Sequence, residues 1–322
     1  MMDHASKEVV TVFGGSGFVG TQVVQMLAHQ GHRIRVAVRR PDLAGHLLPL
    51  GDVGQIVAIQ ANVRNMDSVA RVVAGATMVI NLVGIGVERG RQRFDAVHVE
   101  GARNVATAAA TAGVRALVHM SVLGAGSESE SVVARSRAAG EAAAFAAFPQ
   151  VVVMRPSLVF GPDDHFFNLM ASLARSSPIL PLIGGNSKFQ PVYVRDVARA
   201  FTIAAEGGVA AGRIYELGGP DIETYKQLMQ RILREIGRDN LLLPVSPGLA
   251  KLLAAPMSLL PKPLLTADQV VQLQSDNVVS EEAIREKRTL AAFGITPAPM
   301  SAVLPSYLWR FRKHGQFDRQ TA

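Results

Sequence analysis

The sequence predicts an α/β protein: a doubly wound parallel sheet with a smaller α+β lobe towards the C-terminus. Three observations carry that reading. Short β-branched runs alternate with longer helical patterns up to Arg155, the rhythm of a parallel sheet covered on both faces. The strand segments are almost wholly apolar, as strands buried from both sides are. Past Arg155 the rhythm breaks, where Pro156, Pro162, Pro178, Pro181, Pro191 and Pro220 cut the chain into short pieces.

Taken in order, the expected strands are Val9–Phe13, Arg33–Val38, Gln55–Gln60, Thr77–Val83, Ala116–Ser121 and Val151–Arg155. Helical patterns lie between them at Phe18–Gln30, Met66–Ala74, Phe94–Ala112 and Val132–Ala147. Gly31 and Gly113 follow the first and third helices, where a residue without a Cβ closes the last turn. Isolated strands are expected later, at Arg213–Leu217 and Leu241–Val245. The expected division is a nucleotide-binding domain over residues 1–160, to which the chain returns within 185–217, and a discontinuous lobe over 161–322. Ligands of open α/β sheets bind beyond the carboxyl ends of the strands, so the second lobe is expected to form the substrate or partner pocket.

Composition sets the outer bounds. With 322 residues, 48% hydrophobic and 18% charged, the chain has ample apolar material for a core. It has no cysteine, which excludes disulfides and thiolate metal sites, and its eight histidines show no ligand spacing, so no metal is expected. A net charge of +7 favours acidic partners. No nucleic-acid motif accompanies that charge, and four Tyr and one Trp offer little for base stacking, so nucleic acid is not an expected partner. The first residues, Met1 to Glu8, contain neither an apolar signal region nor an arginine-rich amphipathic stretch, and no apolar run spans a bilayer. The expectation is a cytoplasmic chain.

The most informative segment follows the first strand. Gly14-Gly15-Ser16-Gly17-Phe18-Val19-Gly20 has a GxxGxxG spacing and opens an amphipathic helix. The first glycine permits the tight turn, the second lets backbone N–H groups approach a pyrophosphate, and the third lets the helix pack on the sheet. The helix start supplies unpaired N–H groups and the positive end of a dipole for the phosphates. This is a Rossmann dinucleotide turn. The end of the second strand selects the dinucleotide: an acidic residue there takes the ribose hydroxyls of NAD. This chain has Arg39-Arg40-Pro41 instead. Two guanidiniums suit a 2′-phosphate and give a plain diol no acceptor, and Ser16 adds a hydroxyl. The expected cofactor is NADP(H) rather than NAD(H).

These residues resemble the extended and atypical short-chain dehydrogenases/reductases. The likeness extends to Asn62-Val63-Arg64, where that superfamily often has an acidic residue beside the adenine, to Asn81-Leu82-Val83-Gly84 along the cofactor, and to Val99-Glu100-Gly101-Ala102-Arg103-Asn104 in the central helix. The stretches from Arg155 to Asn168 and from Gln190 to Ala198 are similar to the nucleotide-binding accessory subunit of respiratory complex I and its bacterial homologues. The resemblance covers roughly residues 8–310. It implies tightly held NADPH and a stabilising or assembly role in a respiratory or quinone-making complex. It also implies cofactor contacts from Gly14, Ser16, Gly17, Phe18, Val19, Gly20, Arg39, Arg40, Asn62, Val63, Leu82, Val83, Gly84, Ser121, Arg137, Pro156, Ser157 and Leu158.

The chemistry of short-chain dehydrogenases needs a Tyr and a Lys one helical turn apart, with a Ser to orient the substrate oxygen. Ser121 stands at the serine position, but Val133 and Arg137 occupy the places of Tyr and Lys. Valine has no proton to give, and arginine stays cationic, so it can hold a ribose but cannot relay a proton. The conclusion is independent of alignment: Tyr193, Tyr215, Tyr225 and Tyr307 all lie beyond residue 190, and no lysine lies between Lys7 and Lys188. General acid–base help contributes roughly 10²–10⁴-fold, and that help is missing. Substitute acids remain open at His119, Ser121, Asp163, Asp164, His165 and Tyr193, each with a structural reading beside it: a core histidine, a loop or helix cap, a core tyrosine.

Two further segments bear on partners. Residues 247–265 are strongly apolar, and residues 305–314 interleave aromatic and basic side chains. Either suits a membrane interface or an acidic protein surface; the first equally suits a core helix and the second a basic tail. The leading expectation is an NADP(H)-binding structural or assembly factor, peripheral on the cytoplasmic face of an inner membrane. The alternative is an NADPH-dependent oxidoreductase or isomerase acting on a quinone-like or lipid-like substrate with a non-standard proton donor.

Overall fold

The computed structural model describes residues 8–246, 248–250, 252, 265–313 and 315. The first half runs β1 (Val9–Phe13), α1 (Phe18–His29), β2 (Arg33–Val38), β3 (Ile56–Gln60), α2 (Met66–Val73), β4 (Met78–Asn81), α3 (Glu100–Thr111), β5 (Ala116–Met120), α4 (Val132–Ala147) and β6 (Val152–Pro156). It continues with β7 (Val159–Phe160), α5 (Phe166–Ser176), β8 (Ile179–Leu182), β9 (Lys188–Phe189), β10 (Val192–Tyr193), α6 (Val194–Ala205) and β11 (Ile214–Leu217). Then follow β12 (Glu223–Thr224), α7 (Tyr225–Glu235) and β13 (Leu241–Pro244).

Seven strands form one parallel sheet in the order β11-β6-β5-β4-β1-β2-β3. The order reverses between β1 and β4, so β1 carries its loop into the crevice where such sheets bind ligands. The strands are apolar because both faces are covered. On one face α1 and α6 bury Val23, Leu27, Ala198 and Phe201 against Val10, Val12 and Ile34. On the other, α2, α3 and α4 bury Val69, Val72, Val105, Ala109 and Ala144 against Phe13, Val79 and Val153. A third core lies beyond the sheet, where α5 and α7 enclose Phe160, Phe167, Leu228, Ile232, Met300 and Leu304.

Most elements fall within a residue of their expected ends, and two departures have a local cause. The fourth strand ends at Asn81 rather than Val83, because Asn81 Oδ1 accepts the Val83 N–H at 3.2 Å and turns the chain off the sheet. The third helix starts as a π-helical turn over Asp95–Val99 and becomes α-helical at Glu100. Such wide turns recur beside functional sites. Outside the seven-stranded sheet β8 and β13 pair in parallel, leaving Ile179, Leu241 and Leu243 exposed.

Candidate dinucleotide site

The turn after β1 is shaped by contacts that only glycine allows. Gly14 has φ +74° and donates its N–H to the Ala37 carbonyl at 3.2 Å. A side chain there would be strained and would press on the Leu82 backbone. A Cβ on Gly20 would overlap the Gly14 carbonyl oxygen and come 2.6 Å from the Gly15 Cα, so the first turn of α1 lies directly on the loop. Gly17 is the N-cap of α1, and no side chain among the described residues caps that end. The amides of the first turn therefore face outwards without a side-chain acceptor, at the positive end of the helix dipole.

These elements border a cleft of 580 Å³ lined by Gly14, Ser16, Gly17, Arg39, Arg40, Leu43, Val63, Leu82, Val83 and Gly84, among others. A neighbouring recess of 420 Å³ shares Arg39 and adds Asn62, Asn65, Asp67, Ser68 and Arg71. The cleft thus runs from the guanidiniums after β2, over the glycine turn, to the backbone after β4. Arg39 and Arg40 are exposed, and Arg40 pairs with Asp42 at 2.8 Å. Asn62 Oδ1 accepts the Arg64 N–H at 3.2 Å, which shapes the recess wall. Asp67 and Arg71 were not singled out from the sequence. They stand one turn apart on α2, opposite the buried face of Val69, Val72 and Val73, and that spacing is the signal that marks them.

Leu82, Val83 and Gly84 line the cleft after β4, and behind them lie β5 and α4. Arg137 reaches from α4 to the Met120 carbonyl at 3.2 Å and the Val83 carbonyl at 3.4 Å. A Cβ on Gly84 would collide with its guanidinium, so the two lie in contact. Among the described residues its Nε is enclosed without a partner, as is the Oγ of the fully buried Ser121. Burial lowers the Arg137 guanidinium to about 10, still cationic at neutral pH. Beside it, Asn81 Nδ2 and His119 Nδ1 are 3.2 Å apart. His98 Nε2 accepts the Ile85 N–H at 3.0 Å, which leaves Nδ1 to donate to Ser136 Oγ at 2.8 Å. Burial, and then the Arg137 charge, pushes both histidines down to about 3, so both are neutral rings. Val133 is buried on the same helix.

The remaining candidates are placed as follows. Phe18 is half-buried, Val19 is buried in the α1 packing, and Pro156, Ser157 and Leu158 lie at and just past the end of β6. Ser157 Oγ is taken up by Asn277 Oδ1 at 2.6 Å, and Asn277 Nδ2 also reaches the Leu123 carbonyl at 3.2 Å. Asp164 is no free acid. Its carboxylate accepts the Phe167 N–H at 2.6 Å and the Asn168 N–H at 3.2 Å at the start of α5, and the Tyr307 hydroxyl at 2.6 Å. Burial raises its carboxyl, opposed by those donors. Asp163 and His165 are exposed in the adjoining loop. Tyr193 caps the start of α6 with its ring 5.7 Å from that of Phe160. Residues 247, 251, 253–264 and 314 of the two apolar and basic segments lie outside the described residues.

The profile of the NAD dependent epimerase/dehydratase family matches residues 10–218. The chain is 36% identical over 323 residues to an Arabidopsis thaliana protein named NADH dehydrogenase [ubiquinone] 1 alpha subcomplex subunit 9, mitochondrial, covering 95% of this chain and 79% of that one. It is 30% identical over 311 residues to the Mus musculus protein of the same name, covering 95% and 81%. Among solved structures, the NADPH-dependent quinone oxidoreductase of Escherichia coli complexed with NADPH superposes with a TM-score of 0.73 at 20% identity, over 93% of this chain and 99% of that one. Among the described residues, no helix is long and apolar enough to cross a membrane. The seven-stranded parallel sheet, the glycine turn opening α1 and the match over residues 10–218 together place the chain in the NAD dependent epimerase/dehydratase family.

Proposed function

We propose that this chain is an accessory subunit or assembly factor of a complex I-like respiratory assembly, and that it holds NADP(H) without turning it over. One observation carries the reading: a single cleft brings together the uncapped start of α1 and the guanidiniums of Arg39 and Arg40. The first seats a pyrophosphate and the second a 2′-phosphate. A Cβ built on Gly17 would meet only the Gly14 carbonyl, at 3.4 Å, so the loop is open at the start of α1 and the residues present fit the group. Bound, the dinucleotide supplies a hydride donor. The chain supplies little to protonate a product: the two imidazoles that feel the Arg137 charge, His98 and His119, are neutral, and Val133 stands one turn before it in place of a tyrosine. Because only the folded chain binds it, the cofactor stabilises the fold by mass action. The respiratory setting is supported by the names of the Arabidopsis and mouse relatives, each matched over 95% of this chain.

The same reading puts the second lobe on a partner or a membrane face. Ile179, Leu241, Leu243, Leu249 and Leu252 are exposed there, an apolar set that water alone does not favour.

The test is to purify the full chain, assay bound nucleotide, and follow its absorbance with quinones and aldehydes. Stoichiometric NADPH that persists is the expected result. Steady oxidation with turnover refutes the holding role and makes the chain a reductase. Co-sedimentation with anionic liposomes, with and without residues 305–322, tests the surface; equal recovery of both forms in the supernatant removes the membrane contact.

A further inference from the structure

NADPH and NADP⁺ differ at the nicotinamide ring, which is neutral when reduced and positively charged when oxidised. A fixed charge near that ring therefore separates the two forms. The sheet order places Leu82, Val83 and Gly84, after β4, on the other side of the β1 turn from Arg39 and Arg40, so a dinucleotide with its adenosine phosphate on the two arginines runs across the turn towards Val83 and Gly84. The Arg137 guanidinium sits at that end, against Gly84 and 3.4 Å from the Val83 carbonyl.

The charge is poorly balanced. Its hydrogen-bond acceptors among the described residues are two backbone carbonyls, those of Val83 and Met120. The carboxylate that raises it, Glu141, stands one turn on and is engaged by Arg155 through Nε at 2.8 Å and Nη2 at 2.5 Å. Glu216 acts on Arg155 and accepts the Ser280 N–H at 2.7 Å. His98 and His119 are neutral. One turn before Arg137 stands Val133, which has no hydroxyl to ionise.

We propose that Arg137 makes this site select the reduced dinucleotide, so that the chain retains NADPH and rejects NADP⁺. The inference rests on the dinucleotide reading above. A positive ring entering a partly desolvated site beside a poorly balanced guanidinium is repelled, while a neutral ring is not. The expected preference is roughly tenfold, or about 1.4 kcal/mol. Tighter binding of the reduced form raises the midpoint potential of the bound couple, by about 30 mV for a tenfold ratio in a two-electron couple. Held NADPH is then a weaker hydride donor than free NADPH.

The experiment is calorimetric titration of the nucleotide-free, full-length protein with NADPH, NADP⁺ and 2′,5′-ADP, which carries the adenosine phosphates and no nicotinamide. The wild type is expected to bind NADPH roughly ten times more tightly than NADP⁺. Arg137→Gln brings the ratio towards one, chiefly by tightening NADP⁺, and Arg137→Lys keeps it; 2′,5′-ADP binds all three alike. If the Gln variant does not fold, Val133→Asp, which sets a carboxylate one turn before the guanidinium, must abolish the ratio instead. A wild-type ratio near one with 2′,5′-ADP still bound, or a ratio kept in either neutralising variant, overturns the selection alone. Failure of 2′,5′-ADP to bind the wild type overturns the dinucleotide reading and the selection with it.

Discussion

Gly17→Ala and Gly20→Ala should fail in different ways, and the difference reports what the turn is for. At Gly20 a new Cβ meets backbone on both sides, the Gly14 carbonyl and the Gly15 Cα at 2.6 Å. Backbone cannot move aside as a flexible side chain can, so the cost lies at or above the upper end of overpacking, about 3 kcal/mol. A chain of 322 residues unfolds with an entropy near 0.7 kcal/mol per kelvin, so the apo Tm should fall by about 4–5 °C. At Gly17 the nearest atom to a new Cβ is the Gly14 oxygen at 3.4 Å, ordinary contact, and the backbone at φ −83° suits alanine. Reduced freedom of the unfolded chain gains about 0.4–1 kcal/mol, while alanine is a poorer N-cap than glycine by a similar amount. The apo Tm should stay within about 1.5 °C of the parent. On the proposed seating of the pyrophosphate, the same methyl stands in its path. Losing one charge-assisted hydrogen bond costs about 1.5–3 kcal/mol, so NADPH should bind roughly 10–150-fold more weakly. Thermal melts with and without NADPH measure both effects. An unchanged NADPH-induced shift in Gly17→Ala would refute the placement of phosphates on this turn.

Other perturbations separate binding from stability. Arg39→Asp should remove most of the preference for NADPH over NADH, a change of roughly tenfold or more; equal affinities already in the wild type would end the 2′-phosphate argument. Glu141→Gln removes the paired charge from Arg155 in a nearly closed environment, where Glu141 is 5% and Arg155 18% exposed at the side chain, and should cost up to about 3 kcal/mol by urea denaturation, since the amide oxygen still accepts. Acid should also destabilise through the buried histidines. Their folded values of about 3 lie below the ordinary 6.5, so the unfolded chain binds more protons between those limits and stability falls as pH drops through that window. Each histidine contributes up to about 1.4 kcal/mol per pH unit. The raised Asp164 carboxyl acts in the opposite direction above 3.8. Urea midpoints between about pH 5 and 7 should therefore vary less in His119→Gln than in the parent, and identical slopes would show that His119 titrates normally.

Much of the sheet was legible in the sequence because its strands are short apolar runs between glycine-bounded helices, and the turn after β1 announces itself by glycine spacing. What escaped was set by contacts distant along the chain. Asp164 reads as a candidate acid until Tyr307, 143 residues away, is seen to donate to it. The partner of the Ser157 hydroxyl, Asn277, lies 120 residues on and leaves no mark in the sequence around Ser157. Apolarity alone overruns the end of β4 by two residues: Leu82 and Val83 are apolar enough to continue the strand, and the Asn81 side chain bonding back to Val83 is what ends it. The π-helical turn before α3 has no composition of its own. Arg137 was legible as a residue out of type at its position, but its enclosure against backbone carbonyls, with the Glu141 carboxylate already engaged by Arg155, needed the fold.

The sheet gains its seventh strand late. β11 pairs with β6 across a separation of about sixty residues, joining Ile214 to Val153 and Leu217 to Pro156. The outer edge of β11 is then blunted from still further along, where the Arg288 carbonyl accepts the Glu216 N–H at 2.9 Å and the Arg288 guanidinium donates to the Ile214 carbonyl at 2.8 Å. During synthesis, a chain that has emerged only as far as β6 therefore presents a bare hydrogen-bonding edge, and it keeps one until the ribosome has passed Arg288. Fragments that stop at the end of the first six strands should consequently aggregate when expressed, and nascent chains should depend on holdase chaperones over that interval.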